Sequence, residues 1–217
     1  MSPLVLALLS APAIAGDNAS IVAVLDGISD PVAGSNTYEG DADLWVFDLS
    51  SESFAVDCSG FVSYVVWNAW LGAGGYGDID VSGKKMVSSS YTMNGIAGAS
   101  NGNHGPFAAD WRDAVSEGYI LLDGVPHALD VRTSVTAIQR GDMMTRVGHV
   151  AFVDDLQRIT DDFWVLDVVH AVSSSGVTRS TYYLGVETDG SFKYYSSSSK
   201  LRDDDSYDDV TFAGLGG

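Results

Sequence analysis

Apolar residues along this chain recur first at helical spacing and then in alternation. Ile21, Val22, Val24, Leu25 and Ile28 predict an amphipathic helix within residues 18–30. A second helix is expected from Cys58, where Phe61, Val62, Val65, Val66 and Ala69 fall on one face. Asp57 and Ser59 are residue types that favour a helix start. A short third helix, carrying Trp111, is expected over Ala108–Glu117. Beyond it strands dominate: residues 128–137, with alternating Leu129, Val131, Thr133 and Val135; then 148–153, ended by Asp154-Asp155; then 163–170, 177–184 and 192–195. Arg140-Gly-Asp142, Ser173 to Gly176 and Asp189-Gly190 mark turns.

Helices first and a meander of strands afterwards predict an α+β fold, N-terminal helices packed on an antiparallel sheet of about five to six strands. Leu71-Gly-Ala-Gly-Gly-Tyr-Gly77 ends the central helix, and 72–105, rich in Gly, Ser and Asn, reads as a long surface loop. Residues 44–47 read as a short strand or a segment leading into the cysteine. The run 203–209 reads as an acidic, solvated tail.

Composition narrows the function. The 217 residues suit one domain, and 46% apolar residues with 24 glycines describe a folded, turn-rich protein. A net charge of −18 would repel nucleic acids and anionic membranes, so neither is an expected partner. One cysteine leaves no internal disulfide and no multi-cysteine zinc site. Residues 4–10 are apolar and lead to Ala13 and Ala15, the pattern of a secretory signal over residues 1–15. They are too few to span a bilayer; a buried strand is the other reading. Export predicts a secreted or periplasmic protein whose residues 16–217 form a single domain, expected to be monomeric.

The lone Cys58 admits two readings. Free cysteines are often small buried apolar residues. At a helix start, however, backbone N–H groups and the helix dipole favour the thiolate and would lower the thiol pKa. A cysteine nucleophile needs a base and a group to orient it. Of the four histidines, His149 heads one expected strand and His170 ends the next, so an antiparallel pairing would bring both onto one sheet. His104 and His127 have no partner suggested by the pattern and read as surface or core residues. Alternation places Asp167 on the opposite face from His170, so only one of the two can point at His149.

Three blocks resemble the NlpC/P60 cysteine peptidases. They are Asp57-Cys58-Ser59-Gly60-Phe61-Val62, then Gly141-Asp142 before Gly148-His149-Val150-Ala151-Phe152-Val153, then Val168-Val169-His170-Ala171. They occur in that family's order and span about residues 56 to 171. The resemblance implies a papain-like fold, with a Cys-bearing helix packed on an antiparallel sheet. It implies Cys58 as nucleophile, His149 as base and then acid, and His170 as the orienting group, with Asp167 as the rival. It further implies the Ser59 N–H and Tyr38 at the oxyanion or substrate, and no metal or organic cofactor. The implied activity is thioester-mediated hydrolysis of amide bonds in peptidoglycan stem peptides. A CHAP-like or toxin-like thiol amidase or transferase on another acyl substrate, and an inactive wall-binding scaffold, are the alternatives. Lys84, Lys85, Arg112, Arg132 and Arg146 are candidates for a basic spot facing an acidic wall.

Overall fold

A computed structural model describes residues 18–41, 45–72, 78–86, 91–92, 95–96, 106–196 and 208–216. The expected export segment, His104 and residues 203–207 of the acidic run lie outside them. In chain order the elements begin with α1 (Asn18–Asp26), β1 (Asn36–Thr37), β2 (Val46–Asp48), β3 (Ser53–Ala55) and α2 (Cys58–Gly72). Then come β4 (Ile79–Val81), β5 (Lys84–Met86), β6 (Tyr91–Thr92), β7 (Gly95–Ile96), α3 (Ala108–Glu117), β8 (Tyr119–Leu122) and β9 (Val125–Val131). The chain continues with β10 (Met143–Arg146), β11 (His149–Arg158), β12 (Phe163–Val172), β13 (Gly176–Val186), β14 (Phe192–Tyr195) and β15 (Asp208–Leu215).

Strands β10 to β15 pair antiparallel in sequence order, and β15 returns to β10 with Met143 opposite Ala213 and Arg146 opposite Val210. This pairing closes a six-stranded barrel. The C-terminal residues of β15 also pair with β9, from which β8, β4 and β5 extend the sheet. The architecture is mostly β, with three short helices among the described residues, and the expected papain-like α+β layout, helices on an open sheet of five or six strands, is incorrect. The reason is β15. Val210, Phe212 and Ala213 are buried and complete the ring, although Asp208 and Asp209, exposed at its start, continue the acidic run.

Alternation along the six strands separates two layers. Met144, Ala151, Val153, Leu166, Val168, Leu184, Phe192, Tyr194, Val210 and Phe212 cluster and fill the barrel. The opposite faces, with Met143, Val150, Phe152, Val169, Ala171 and Ala213, join the helices in a second, larger core. Helix α2 lies in that outer core. Its residues from Cys58 to Trp70 are all buried, not only the one face expected, because α1, α3 and the barrel strands surround it. Burial of each large apolar side chain there contributes about 1.5–3 kcal/mol over exposure.

Specific polar contacts fix the layers. Ser63 Oγ donates to the Ser59 carbonyl (2.7 Å) and accepts from Trp111 Nε1 (3.2 Å), tying α3 to α2. Arg179 donates to the Leu25 and Ile28 carbonyls at the end of α1 and to Asp154, the bulged residue of β11. That bulge carries β11 past Asp154-Asp155, where the strand was expected to stop. Arg140 links the same Asp154 to Asp26. Asp142 of the Gly-Asp turn is fully buried and receives both Nε and Nη2 of Arg132 (2.8 and 2.9 Å), the Gln139 N–H and Asn18 Nδ2.

Two hairpins depart from expectation. Ser82-Gly83 and Asp123-Gly124 each have positive φ at both positions, the backbone of a two-residue type I′ turn. They place β4–β5 within the expected 72–105 surface loop and β8 before the expected strand at 128–137. That strand is β9, shifted to Val125–Val131, and Val135–Ala137 form a 3-10 turn. Among the described residues no helix is long and apolar enough to cross a membrane.

Candidate active site

Asp57 caps α2: its Oδ1 accepts from the Gly60 N–H and from Ser59 Oγ, both at 2.7 Å. Cys58 is therefore the first helical residue, as expected, and is 7% exposed. The Val150, Ser59 and Cys58 backbone N–H groups lie close enough to its sulfur to favour the thiolate. Gly60 is required beside it, because a Cβ there would sit 2.7 Å from the Trp45 ring.

The electrostatics differ from the expected lowered thiol pKa. Burial pushes the Cys58 thiol up and outweighs the nearby N–H groups, while Asp57 adds to the rise. Burial, with Arg146 as a second cause, holds His149 down at about 4. Burial, then His149 and Arg146, hold His170 down at about 3. At neutral pH the resting site is a thiol beside two neutral imidazoles.

β11 begins with His149 immediately after the tight Val147-Gly148 turn, where Gly148 has φ 69°. His149 Nε2 is 2.7 Å from His170 Nδ1, and the rings meet edge to face at 78°. His170 is fully buried on β12, on the face of Val168 and Leu166 that fills the barrel. Asp167 is turned away and accepts from Thr181 Oγ1 at 2.6 Å. Of the two residues considered for the third position, His170 reaches His149 and Asp167 does not.

Cys58 and His149 open on one cavity of about 200 Å³, lined also by Tyr38, Arg146, Gly148, Ala171 to Ser173 and Tyr182. Tyr38 is brought there by Asn36, whose Nδ2 donates to the Ser175 and Val177 carbonyls and whose Oδ1 accepts from the Val177 N–H. Burial, Cys58 and Asp57 all push the Tyr38 hydroxyl pKa up. The Ser59 side chain serves the cap, and its N–H faces the sulfur. With the His149 Nε2 committed to His170, its Nδ1 is the nitrogen left for chemistry.

Of the five basic candidates only Arg146 lines this cavity. Its guanidinium lies 4.8 Å over the Tyr194 ring and donates to Asp208 at 3.0 Å. Arg132 is consumed by Asp142 and Asp130. Lys84 and Lys85 belong to the β4–β5 hairpin, and Arg112 lies on α3. His127 is on β9 and is not among the residues lining the cavity. Among the described residues no three His, Cys, Asp or Glu side chains converge as a metal site.

Arg146 was among the basic candidates, whereas Tyr182 and Ser180, whose Oγ lies 2.9 Å from His170 Nε2, were not singled out from the sequence. Pairing the expected strands across the Ser173 to Gly176 turn puts His170 opposite Thr178, with Ser180 and Tyr182 following on the same face. That register was the available signal. Comparison with protein-family models, with curated proteins and with solved structures finds no match to this chain.

Proposed function

We propose that this protein is a cysteine-dependent hydrolase that cleaves amide bonds through a thioester on Cys58. The observation that carries the reading is a shared cavity: the Cys58 thiol and the His149 imidazole line it together, and His170 holds the far nitrogen of that imidazole at 2.7 Å.

The chemistry starts from neutral groups. As the Cys58 sulfur attacks the amide carbonyl, the thiol proton passes to His149 Nδ1. The transient imidazolium forms beside His170, whose Nδ1 accepts from His149 Nε2–H. The N–H groups near the sulfur and the cavity-lining Tyr38 hydroxyl are the donors this reading assigns to the developing oxyanion. His149 then gives its proton to the departing amine, and the thioester forms. Water, deprotonated by His149, attacks that thioester, and the released sulfur recovers the proton.

The substrate rests on the three sequence blocks around Cys58, His149 and His170, which point to peptidoglycan stem peptides. The apolar run at residues 4–10 supports export to the medium or periplasm. Digestion of purified peptidoglycan, with fragments identified by mass, tests both levels. New stem-peptide ends that vanish in Cys58→Ala support the proposal. An intact wall, with Cys58 still labelled by acyl-donor probes, would move the substrate elsewhere. An intact wall and an inert Cys58 would overturn the hydrolase reading.

A further inference from the structure

In a chain of net charge −18, the cavity that holds the thiol is lined by a cation. Arg146 ends β10 directly opposite His149 on β11, which puts the two side chains on one face of the sheet. It is the one charged side chain among the residues lining that cavity. The groups around it are neutral at pH 7: burial pushes up the Cys58 thiol and the Tyr38 hydroxyl and holds His149 down at about 4. Asp57, the carboxylate next to Cys58, is taken by the Gly60 N–H and Ser59 Oγ and does not line the cavity.

The fold uses only part of the guanidinium. Nη1 donates to Asp208 at 3.0 Å and to the Val147 carbonyl at 3.4 Å, and the Tyr194 ring and hydroxyl lie against it. Burial and Tyr182 push the Tyr194 hydroxyl pKa up, so it stays protonated and brings no negative charge. Asp208 is half exposed, and an ion pair so open to water is worth little. The Arg146 Nε is buried and meets no acceptor among the described residues, whereas buried donors are nearly always paired. Positive charge and hydrogen-bonding capacity are both left over beside the nucleophile.

We propose that Arg146 is a specificity-determining residue that selects acyl substrates bearing a free carboxylate beside the scissile amide: it is the sole charged side chain lining the cavity of Cys58 and His149, and its guanidinium is only partly satisfied by the fold. A carboxylate matches the guanidinium in charge and accepts two of its N–H bonds at once, which an amide or a hydroxyl does not. The inference rests on Cys58 being the nucleophile proposed above.

Iodoacetate and iodoacetamide are nearly the same size and differ by one negative charge, and in both the sulfur displaces iodide. Cys58 is the chain's only cysteine, so the mass of the intact protein reports its alkylation alone. Rates with both reagents at about pH 8, where thiolate is accessible, give a ratio to set against that of a neutral thiol, N-acetylcysteine amide. The overall charge of the chain would by itself push the ratio below that of the reference. Arg146 is expected to raise it about tenfold above the reference, the worth of one charge-assisted hydrogen bond. About 0.5 M sodium chloride should shrink the preference. Arg146→Gln should abolish it, and Arg146→Lys, which keeps the charge and loses the fork, should restore part.

A ratio at or below the reference in the unaltered chain overturns the proposal, as does a preference that survives in Arg146→Gln. An Arg146 that serves only to brace β10 against β15 would leave the ratio unmoved. Should Arg146→Gln not fold, the ratio of the unaltered chain and its response to salt still decide. Cys58 labelled by both reagents without preference sinks this inference and spares the hydrolase reading. A Cys58 inert to both sinks the two together.

Discussion

His149 and His170 stand 21 residues apart in sequence, yet the Nε2 of one lies 2.7 Å from the Nδ1 of the other inside the barrel mouth. The contact ties the two rings together, and the proposed mechanism makes His170 the orienting partner of His149. Replacing His149 by Ala is expected to lower kcat/KM on peptidoglycan by about 10²–10⁴, the range of a lost general base. His170→Ala removes an interaction with the imidazolium and is expected to cost about 10–100-fold. Initial rates of stem-peptide release measure both, and an undiminished rate in His170→Ala would remove it from the mechanism.

The same burial makes stability depend on pH. Folded His149 and His170 titrate near 4 and 3, while the unfolded chain titrates near 6.5. Between those values the unfolded chain binds protons that the folded one refuses, so stability is present above about pH 6.5 and declines as pH falls toward 3. Urea midpoints measured at intervals across that window should drop on the acid side. The decline should become shallower in His170→Gln, which has one fewer buried group to protonate.

Activity should follow the neutral base. With His149 depressed to about 4, the acid limb of kcat/KM is expected near that value instead of near 6.5. A limb near 6.5 would mean that His149 is more exposed to water in solution than its 8% exposure implies.

Gly60 touches the Trp45 ring so closely that a methyl group has no room. Gly60→Ala would gain about 1 kcal/mol of helix propensity. Overpacking against a buried indole costs about 1–3 kcal/mol, so a net loss is expected. Urea unfolding followed by tryptophan fluorescence reads it.

Arg132 covers the buried carboxylate of Asp142 with two hydrogen bonds. Arg132→Met strands that carboxylate away from water and is expected to cost about 3–5 kcal/mol. A thermal midpoint equal to that of the unaltered chain would show that Asn18 and Gln139 suffice.

Local signals in the chain were easy to read where one short segment decides the outcome. The Asp57 cap, the third helix over Ala108–Glu117 and β14 over Phe192–Tyr195 all stand where pattern and turn residues put them. The Asp123-Gly124 turn is an equally explicit signal that the expected strand over 128–137 leaves unused, and β8 goes with it. Ring closure is different in kind. Met143 meets Ala213 across 70 positions (213 − 143), and nothing near either residue announces the pairing. The acidic run before β15 disguised its buried half. In the site, Cys58, His149 and His170 were visible as residue types at strand and helix ends. The neutral state of the thiol was not, because burial is a property of the assembled layers and outweighs the helix start. Arg146 was one of five basic candidates with nothing local to choose it, and Ser180 and Tyr182 required a register to be drawn first.

Strand β15 seals the barrel against β10, with the Thr145 and Thr211 hydroxyls 2.7 Å apart across the seam. The hairpins from β10 to β14 form between neighbours, whereas this seam must gather a long loop before any contact rewards it. Loop closure predicts the seam to be the slow step of assembly, and until it forms Arg146 lacks both Asp208 and its place over Tyr194. Completion of the cavity shared by Cys58 and His149 would then keep time with the last pairing, later than the arrival of α2.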